Sequence, residues 1–506
     1  MKRMLTGLFV ASILLSSVLK ADEYGRPFYA SRSQGANLPH AMVMSDGQEG
    51  IFGMEELYGK FDILGGYGRT WKSDKIGKYL SLKSDNDTMT IGATSTDGTN
   101  TIAAVNLGLS PDAAATLKLA PKKEDIFFDF GAFVGFDEYV EGLWLKLRLP
   151  VVRTKWNLGG DLTVTSAGTA VANYFQTGAT PATVPAAPTE EQLLAGEFTC
   201  GYLDTKQTHA KFYAGDKIET ALTDVAASIG WNFIRKDKGF FGLYIHGLVP
   251  TGTRPTAEFV FEPIAGNGRH FEIGGGLVGK ACLWENDNEE QKLCFNVDAR
   301  ATHMWKATQK RTFDLTANGK GSRYLLLKEF VAAGTFADKL VRGPNVLTLD
   351  AKIKVNVQFE GAAMFTYHYK GLTADLGYNL WGRTKEEVSE FVDTIAADKY
   401  GIYAQTTANC NATGNLDDKT ASTATISNSA VAADVTANVY ISNDSLDKDG
   451  SCAPSALTHT VFANLGYCWD ENEWKPFVGL GGNCEFCAGN KAFDQWSVWG
   501  KLGFSF

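Results

Sequence analysis

The sequence predicts an all-β fold: a transmembrane, antiparallel, up-and-down β-barrel of about 12 strands. Three observations predict it. Period-two alternation of apolar and polar residues recurs in nearly every segment able to form a strand, the connections alternate between short and long, and no stretch after the amino terminus has 18 or more consecutive apolar residues. Strand side chains point to opposite faces in turn, so such alternation describes a sheet apolar on one side and wet on the other. Without a run long enough for a spanning helix, only a closed barrel satisfies its own backbone groups in lipid.

The first residues predict export. Lys2 and Arg3 precede the apolar run Met4–Val18, and Ala21 supplies a small residue before Asp22, the pattern of a cleaved secretory signal over residues 1–21. Leu19, three residues before that cut, is larger than the small residue preferred there. Residues 22–56 lack strand alternation and are expected to form either a plug or a periplasmic segment, leaving residues 57–506 for the barrel and its loops. Aromatic content of 12%, 53 glycines and only 14 prolines in 506 residues suit many short amphipathic strands. A formal net charge of −9 excludes nucleic acid as a partner, because phosphate binding needs a basic surface.

Individual strands follow the same rule. Leu143, Leu145, Leu147, Leu149 and Val151 alternate with Trp144, Lys146 and Arg148, and a phase shift between Val151 and Lys155 reads as a bulge or bend. Phe271, Ile273, Leu277, Ala281 and Leu283 alternate with Glu272, Lys280 and Cys282; Leu293 to Ala301 alternate with Asn296, Asp298 and Arg300. The longest run, Leu347 to Tyr369, exceeds the 9 to 11 residues that a spanning strand needs. It either projects beyond the bilayer or hides a tight turn near Glu360 and Gly361. Leu372 to Leu380 alternate with Asp375 and Asn379, and in Gln495–Phe506 the residues Trp496, Val498, Leu502, Phe504 and Phe506 share one parity, with Trp499 a misfit on the other.

Short polar links at Arg235–Gly239, Glu285–Gln291, Lys370–Gly371 and Asp470–Trp474 face long ones at 72–123, 166–221, 250–269, 306–344 and 383–457. That asymmetry places short turns in the periplasm and long loops outside the cell. The count is about 12 strands, rising to 14 or 16 if the phase shift between Val151 and Lys155 or the poorly patterned stretch Tyr79–Leu119 conceals an extra hairpin. Thr189 with Gln192, and Thr384 with Glu387, have capping-box spacing for short helices within the loops. Thr406–Asp449, rich in Ala, Thr, Ser and Asn, reads as a mobile surface loop.

Eight cysteines in an exported chain point to disulfides rather than metal. A hairpin centred on Asn288 sets Cys282 opposite Cys294, both toward the lumen; Cys410 and Cys452 could close the largest loop, and Cys484 with Cys487 reads as a loop staple. Histidines never fall at HxxxH spacing, and no serine, histidine and acid converge on one face, so neither a metal site nor an enzyme is expected, and no cofactor.

Charge on the inward parity carries the expected chemistry. Lys146, Arg148, Arg153 and Lys155 form one cationic ladder, which Lys280, Arg300, Lys352 and Lys354 extend. Against them stand Asp129, Glu272, Asp298, Asp350 and Asp375. Opposed fixed charges in a watery lumen create a field that filters solutes, here with a bias toward anions. In a narrow barrel the same charges could instead satisfy one another and fill it.

This topology, with the ending Phe504-Ser505-Phe506, resembles bacterial outer-membrane porin-like β-barrel proteins over nearly the whole mature chain. The resemblance implies a place in the outer-membrane lipid, recognition of Phe504 and Phe506 by the barrel assembly machinery, passive diffusion of small hydrophilic solutes, no cofactor, and assembly that is often a homotrimer. The alternative is a closed barrel that displays its loops for adhesion or envelope structure, since the cysteines and the Thr/Ala-rich loop depart from typical porins.

Overall fold

The computed structural model describes residues 24–506 except 31, 35–36, 45–57, 83–86, 94–99, 170, 173, 177, 186–187, 289, 404–419, 421–422, 429–438, 470–473 and 489–493. The expected signal, Cys410 and most of Thr406–Asp449 therefore lie outside the described residues.

Twelve strands form the barrel: β1 (Tyr58–Thr70), β2 (Lys122–Gly135), β3 (Leu143–Asn157), β4 (Val225–Lys236), β5 (Gly239–Val249), β6 (Glu272–Glu285), β7 (Gln291–Thr312), β8 (Thr348–Tyr369), β9 (Leu372–Arg383), β10 (Ala456–Cys468), β11 (Lys475–Cys487) and β12 (Gln495–Ser505). Each pairs antiparallel with its chain neighbour, and β1 closes on β12 with Lys60 opposite Ser505 and Thr70 opposite Gln495. Next to that seam, Gly59 and Phe506 exchange backbone hydrogen bonds of 2.9 and 3.0 Å, and the Phe506 ring packs on Phe61 and Trp474.

Alternation governs the walls. Outward positions such as Phe128, Ile245, Leu376, Leu465, Leu480 and Leu502 are large, apolar and exposed, as lipid-facing residues must be. Trp231, Trp284, Trp469 and Trp474 ring the short-turn end, and Trp71, Phe271, Trp305 and Phe486 the other, where amphipathic rings suit the two membrane interfaces. A closed barrel with this apolar band and these girdles is an outer-membrane barrel, its short turns in the periplasm.

The strand count is twelve because the described residues of Tyr79–Leu119 hold no barrel hairpin. Its short strands Thr88–Gly92, Thr101–Ala103 and Ala114–Lys118 join Asp161–Ser166 in a separate sheet within the long loops. The expected capping box at Thr189 and Gln192 starts the helix Glu190–Leu194. Thr384 and Glu387, by contrast, begin no helix. Glu386–Phe391 is a strand paired with Ala351–Val355, where the open edge of β8 offers more backbone partners than one helical turn would. β8 itself runs unbroken for 22 residues with no turn at Gly361, and β7 runs to Thr312 rather than ending near Lys306.

Inside the barrel lies a short helix, α1 (Leu38–Met44), with all of its residues buried. Leu38, Met42, Val43 and Met44 pack against inward Leu64, Phe127, Ala362, Met364, Phe462 and Trp499, joined by Ala265 from the loop after β5. A Cβ at Gly131 would stand 2.6 Å from Met44 Cε, so the wall is thinned where the helix presses on it.

Lipid exposure of the outer parity makes a direct prediction. Leu480→Arg, near the middle of β11 on the outward face, should lower unfolding stability in bilayers by about 2–4 kcal/mol. Equal urea midpoints for variant and parent would show that this face does not meet hydrocarbon.

Candidate functional site

The lumen holds the chemistry, and its wall can be assembled strand by strand. Lys146 and Arg148 of β3, Glu272 and Lys280 of β6, Asp298 and Arg300 of β7 and Asp375 of β9 all fall on the inward parity. Lys60 and Asp62 of β1, Asp129 of β2, Glu360 of β8, Glu485 of β11 and Lys501 of β12 join them, all buried. Most of these charges meet an opposite one. Arg148 pairs with Asp129, Lys60 with Asp62 at 3.1 Å, and Arg300 with Glu360 at 2.7 Å. Asp298 accepts from the Tyr244 hydroxyl at 2.5 Å, and Asp375 from Asn464 at 2.9 Å. Glu272 accepts from Asn267 at 2.8 Å and Thr302 at 3.1 Å.

Five predicted lumen residues lie elsewhere. Arg153 and Lys155 sit on the parity opposite to Arg148, because β3 pairs with β2 from Lys122 to Gly135 with no register shift and thus no phase change. Arg153 is exposed, and Lys155 bonds Glu124 at 2.7 Å and Asp216 at 3.4 Å on the outer surface of the strand extensions. Asp350, Lys352 and Lys354 also leave the lumen. Bulges in the β7–β8 pairing near Met304 reverse the faces, so Leu349, Ala351, Ile353 and Val355 are buried under the loops instead. Lys352 and Lys354 then meet Glu390 and Glu387, each at 2.8 Å, and Asp350 meets Arg254 at 2.7 Å.

The cysteines divide similarly. Cys282 and Cys294 are register partners and form a disulfide. Cys484 and Cys487 lie on β11 rather than in a loop, three residues apart and on opposite faces, and are not bonded to each other. Cys452 is buried and forms no disulfide among the described residues.

Sequence reasoning did not place α1, whose tethers define the site. At its start, Glu360 accepts from the Leu38 backbone N–H at 3.0 Å and also pairs with Arg32, whose guanidinium lies 3.6 Å from Glu485 and 5.3 Å from the Trp381 ring centroid. Three wall cations donate to carbonyls along the segment: Arg148 to Asn37 at 3.0 Å, Lys146 to Ala41 at 3.2 Å and Lys501 to Val43 at 2.6 Å. Helix ends leave backbone groups without intrahelical partners, and here the wall supplies partners at both ends. His40 sits between Phe127 and Trp499, each ring centroid 5.0 Å away. The misfit parity of Trp499 is the one sequence signal that something apolar fills the lumen.

Beneath α1, toward the short turns, the lumen opens into a partly open cavity. Its roof is Ala41 and Met42; Lys146, Arg148, Lys280, Arg300 and Asp298 share its wall with Phe133, Trp144, Tyr244 and Val278.

On the other side of α1, the loop after β5 turns inward. Gln34 accepts from the Gly266 N–H at 2.8 Å, and Asp224, just before β4, accepts from the Asn267 N–H at 2.7 Å. Full burial pushes the Asp224 carboxyl up to about 7.

The sequence matches no known family model and no curated protein. Among solved structures it is similar to an outer-membrane channel of Pseudomonas putida F1 (9% identity, TM-score 0.34, covering 90% of this chain and 98% of that one). It is also similar to the transport unit of the autotransporter AIDA-I of Escherichia coli (7% identity, TM-score 0.31, 94% and 99% covered) and to a Pseudomonas aeruginosa FadL homologue (7% identity, TM-score 0.27, 96% of each). Values this low say nothing about solute or mechanism, which must come from the geometry.

Two outcomes follow from the tethers. Glu360→Gln leaves Arg300 without its paired carboxylate and Arg32 with Glu485 alone at 3.6 Å, costing about 3–5 kcal/mol, and should expose residues 24–44 to protease in the folded barrel. Unchanged protection would remove Glu360 from the clamp. Because the folded pKa of Asp224 lies above its unfolded value, the folded state holds a proton that the unfolded state has lost, so its stabilising contribution should fall between about pH 4 and about pH 7 and stay flat above. Asp224→Asn should remove that slope from the melting temperature against pH; an identical slope would assign it to other groups.

Proposed function

We propose that the protein is an outer-membrane channel for small hydrophilic solutes, closed at rest by residues 24–44 acting as a plug. One observation carries the reading: the cavity that opens from the short-turn side ends at α1, an element separate from the wall and tied to it by hydrogen bonds and ion pairs. A barrel of about eight strands fills itself with wall side chains, whereas sixteen or more leave an aqueous channel. Twelve strands sit between these limits, so an inserted segment decides whether the path is open. Any preference for anions then falls to Lys146, Arg148, Lys280 and Arg300 around the cavity, not to the cations on the strand extensions.

The second reading is a closed barrel that presents its loops. It is favoured by the loop layer, which has hydrophobic cores of its own around Trp156, Phe261 and Leu117 and around Phe313, Leu327 and Ile353.

Planar-bilayer recording separates the two. The parent protein should be nearly silent, while a variant lacking residues 24–44, or Glu360→Gln if the deletion does not assemble, should give discrete conductance steps that scale with salt. Silence from a variant that still migrates as a folded, heat-modifiable barrel would reject the channel in favour of the loop-presenting barrel.

A further inference from the structure

We infer that the outer surface of β6, β7 and β8, at the long-loop edge of the apolar band, binds a phosphate-bearing acyl lipid of the outer leaflet. The inference goes beyond the channel reading and holds whether or not the barrel conducts.

Position comes first. The Trp305 backbone N–H donates to the Phe271 carbonyl at 2.8 Å, which sets two exposed girdle rings edge to face with centroids 6.2 Å apart. Rings of this kind mark the depth at which hydrocarbon gives way to headgroups. Two exposed cations adjoin them in the chain: Arg269, two residues before Phe271, and Lys306, immediately after Trp305. Basic side chains held at headgroup depth attract anionic lipid.

The chemistry of these two cations suits a phosphate. Arg269 Nε donates to the Gly252 carbonyl at 3.0 Å, which orients the guanidinium, while its two terminal nitrogens have no partner among the described residues. Such a fork of N–H groups matches two oxygens of one phosphate. The Arg269 backbone has φ 73°, a region that favours glycine, so a long cationic side chain stands there against the local preference. Lys306 has no carboxylate within ion-pairing distance among the described residues; Glu390 lies in its field but bonds Lys352 at 2.8 Å. Lys354 with Glu387, also at 2.8 Å, extends the same solvent-facing surface. Pairs in water are worth little and can share their cations with an arriving anion.

The wall beneath the rings suits an acyl chain. On the lipid-facing parity Gly275 lies opposite Ala301, and Ala299 opposite Gly361. A Cβ at Gly275 would meet only Tyr244 O, at 3.5 Å, and one at Gly361 only Ala299 Cβ, at 3.7 Å, so nothing in the wall fills these positions. A chain laid along them gains contact with the barrel while its headgroup stays at Arg269 and Lys306. A free phosphate ion has no use for that part of the surface.

The test is native mass spectrometry of the refolded mature chain in non-ionic detergent, with lipid A, an acylated disaccharide carrying two phosphates, as probe. The same lipid stripped of its phosphates should bind about tenfold more weakly, the size expected for one charge-assisted hydrogen bond. Inorganic phosphate should displace lipid A no better than sodium chloride of equal ionic strength. Lys306→Gln should weaken lipid A by about the same tenfold factor. Arg269→Gly should do so too while relieving the backbone at this φ, so that lost binding is not lost folding. Lys236→Gln, an exposed cation at a short turn on the opposite rim, should bind like the parent. Equal binding of the two lipids would leave only an ordinary lipid belt, and displacement by inorganic phosphate would make this a free-ion site. Either result would overturn the inference, as would parent-like binding by both Arg269→Gly and Lys306→Gln, or an equal loss in Lys236→Gln.

Discussion

Closure of β1 on β12 is the constraint from which the remainder of the structure follows. Hydrocarbon offers no hydrogen bonds, so two unpaired edges at Tyr58–Thr70 and Gln495–Ser505 could not persist there, and their pairing removes both at once. Closure at twelve strands also fixes the bore. That bore is too wide for the wall's own side chains to fill and narrow enough for one helix to occupy. The burial of every residue of α1 and the thinning of the wall at Gly131 are the packing consequences of that intermediate width.

The charges inside follow the same geometry. A polar inward parity gives the wall solubility in an open lumen, but a helix at the centre excludes water, and each charge then needs a partner. Glu360 serves Arg32, Arg300 and the Leu38 N–H together, while Arg148, Lys146 and Lys501 turn toward carbonyls of the inserted segment. Buried pairs of this kind are poor sources of net stability and strict selectors of geometry. They add a directional constraint to the apolar contacts that Leu38, Met42, Val43 and Met44 make with the wall.

Much of this was legible in the sequence because period two is a property of each strand alone. The strands, the pairing of Cys282 with Cys294, and the inward set Lys146, Arg148, Glu272, Lys280, Asp298, Arg300 and Asp375 all come from parity within the membrane. Parity fails where strands leave it. Above the bilayer the extended β7–β8 pair bulges and lays Ile353 and Val355 under the loops, which turns Lys352 and Lys354 outward. At Pro150 the misreading has another cause. The strand changes neighbours there, from β4 at Arg148 to Asp216–Leu222 at Val151, so a proline lacking its N–H is accommodated without any bulge. The helix was not legible because seven residues carry little periodicity, and its burial depends on partners distant in the chain, such as Phe127 and Trp499.

The covalent link between Cys282 and Cys294 has a meaning for assembly. It joins register partners near the short-turn end of β6 and β7. A slip of one residue between two strands would turn every lipid-facing side chain of one of them inward. The link holds this hairpin in the one alignment whose inside and outside agree with the rest of the barrel, and only an oxidising compartment lets that constraint form.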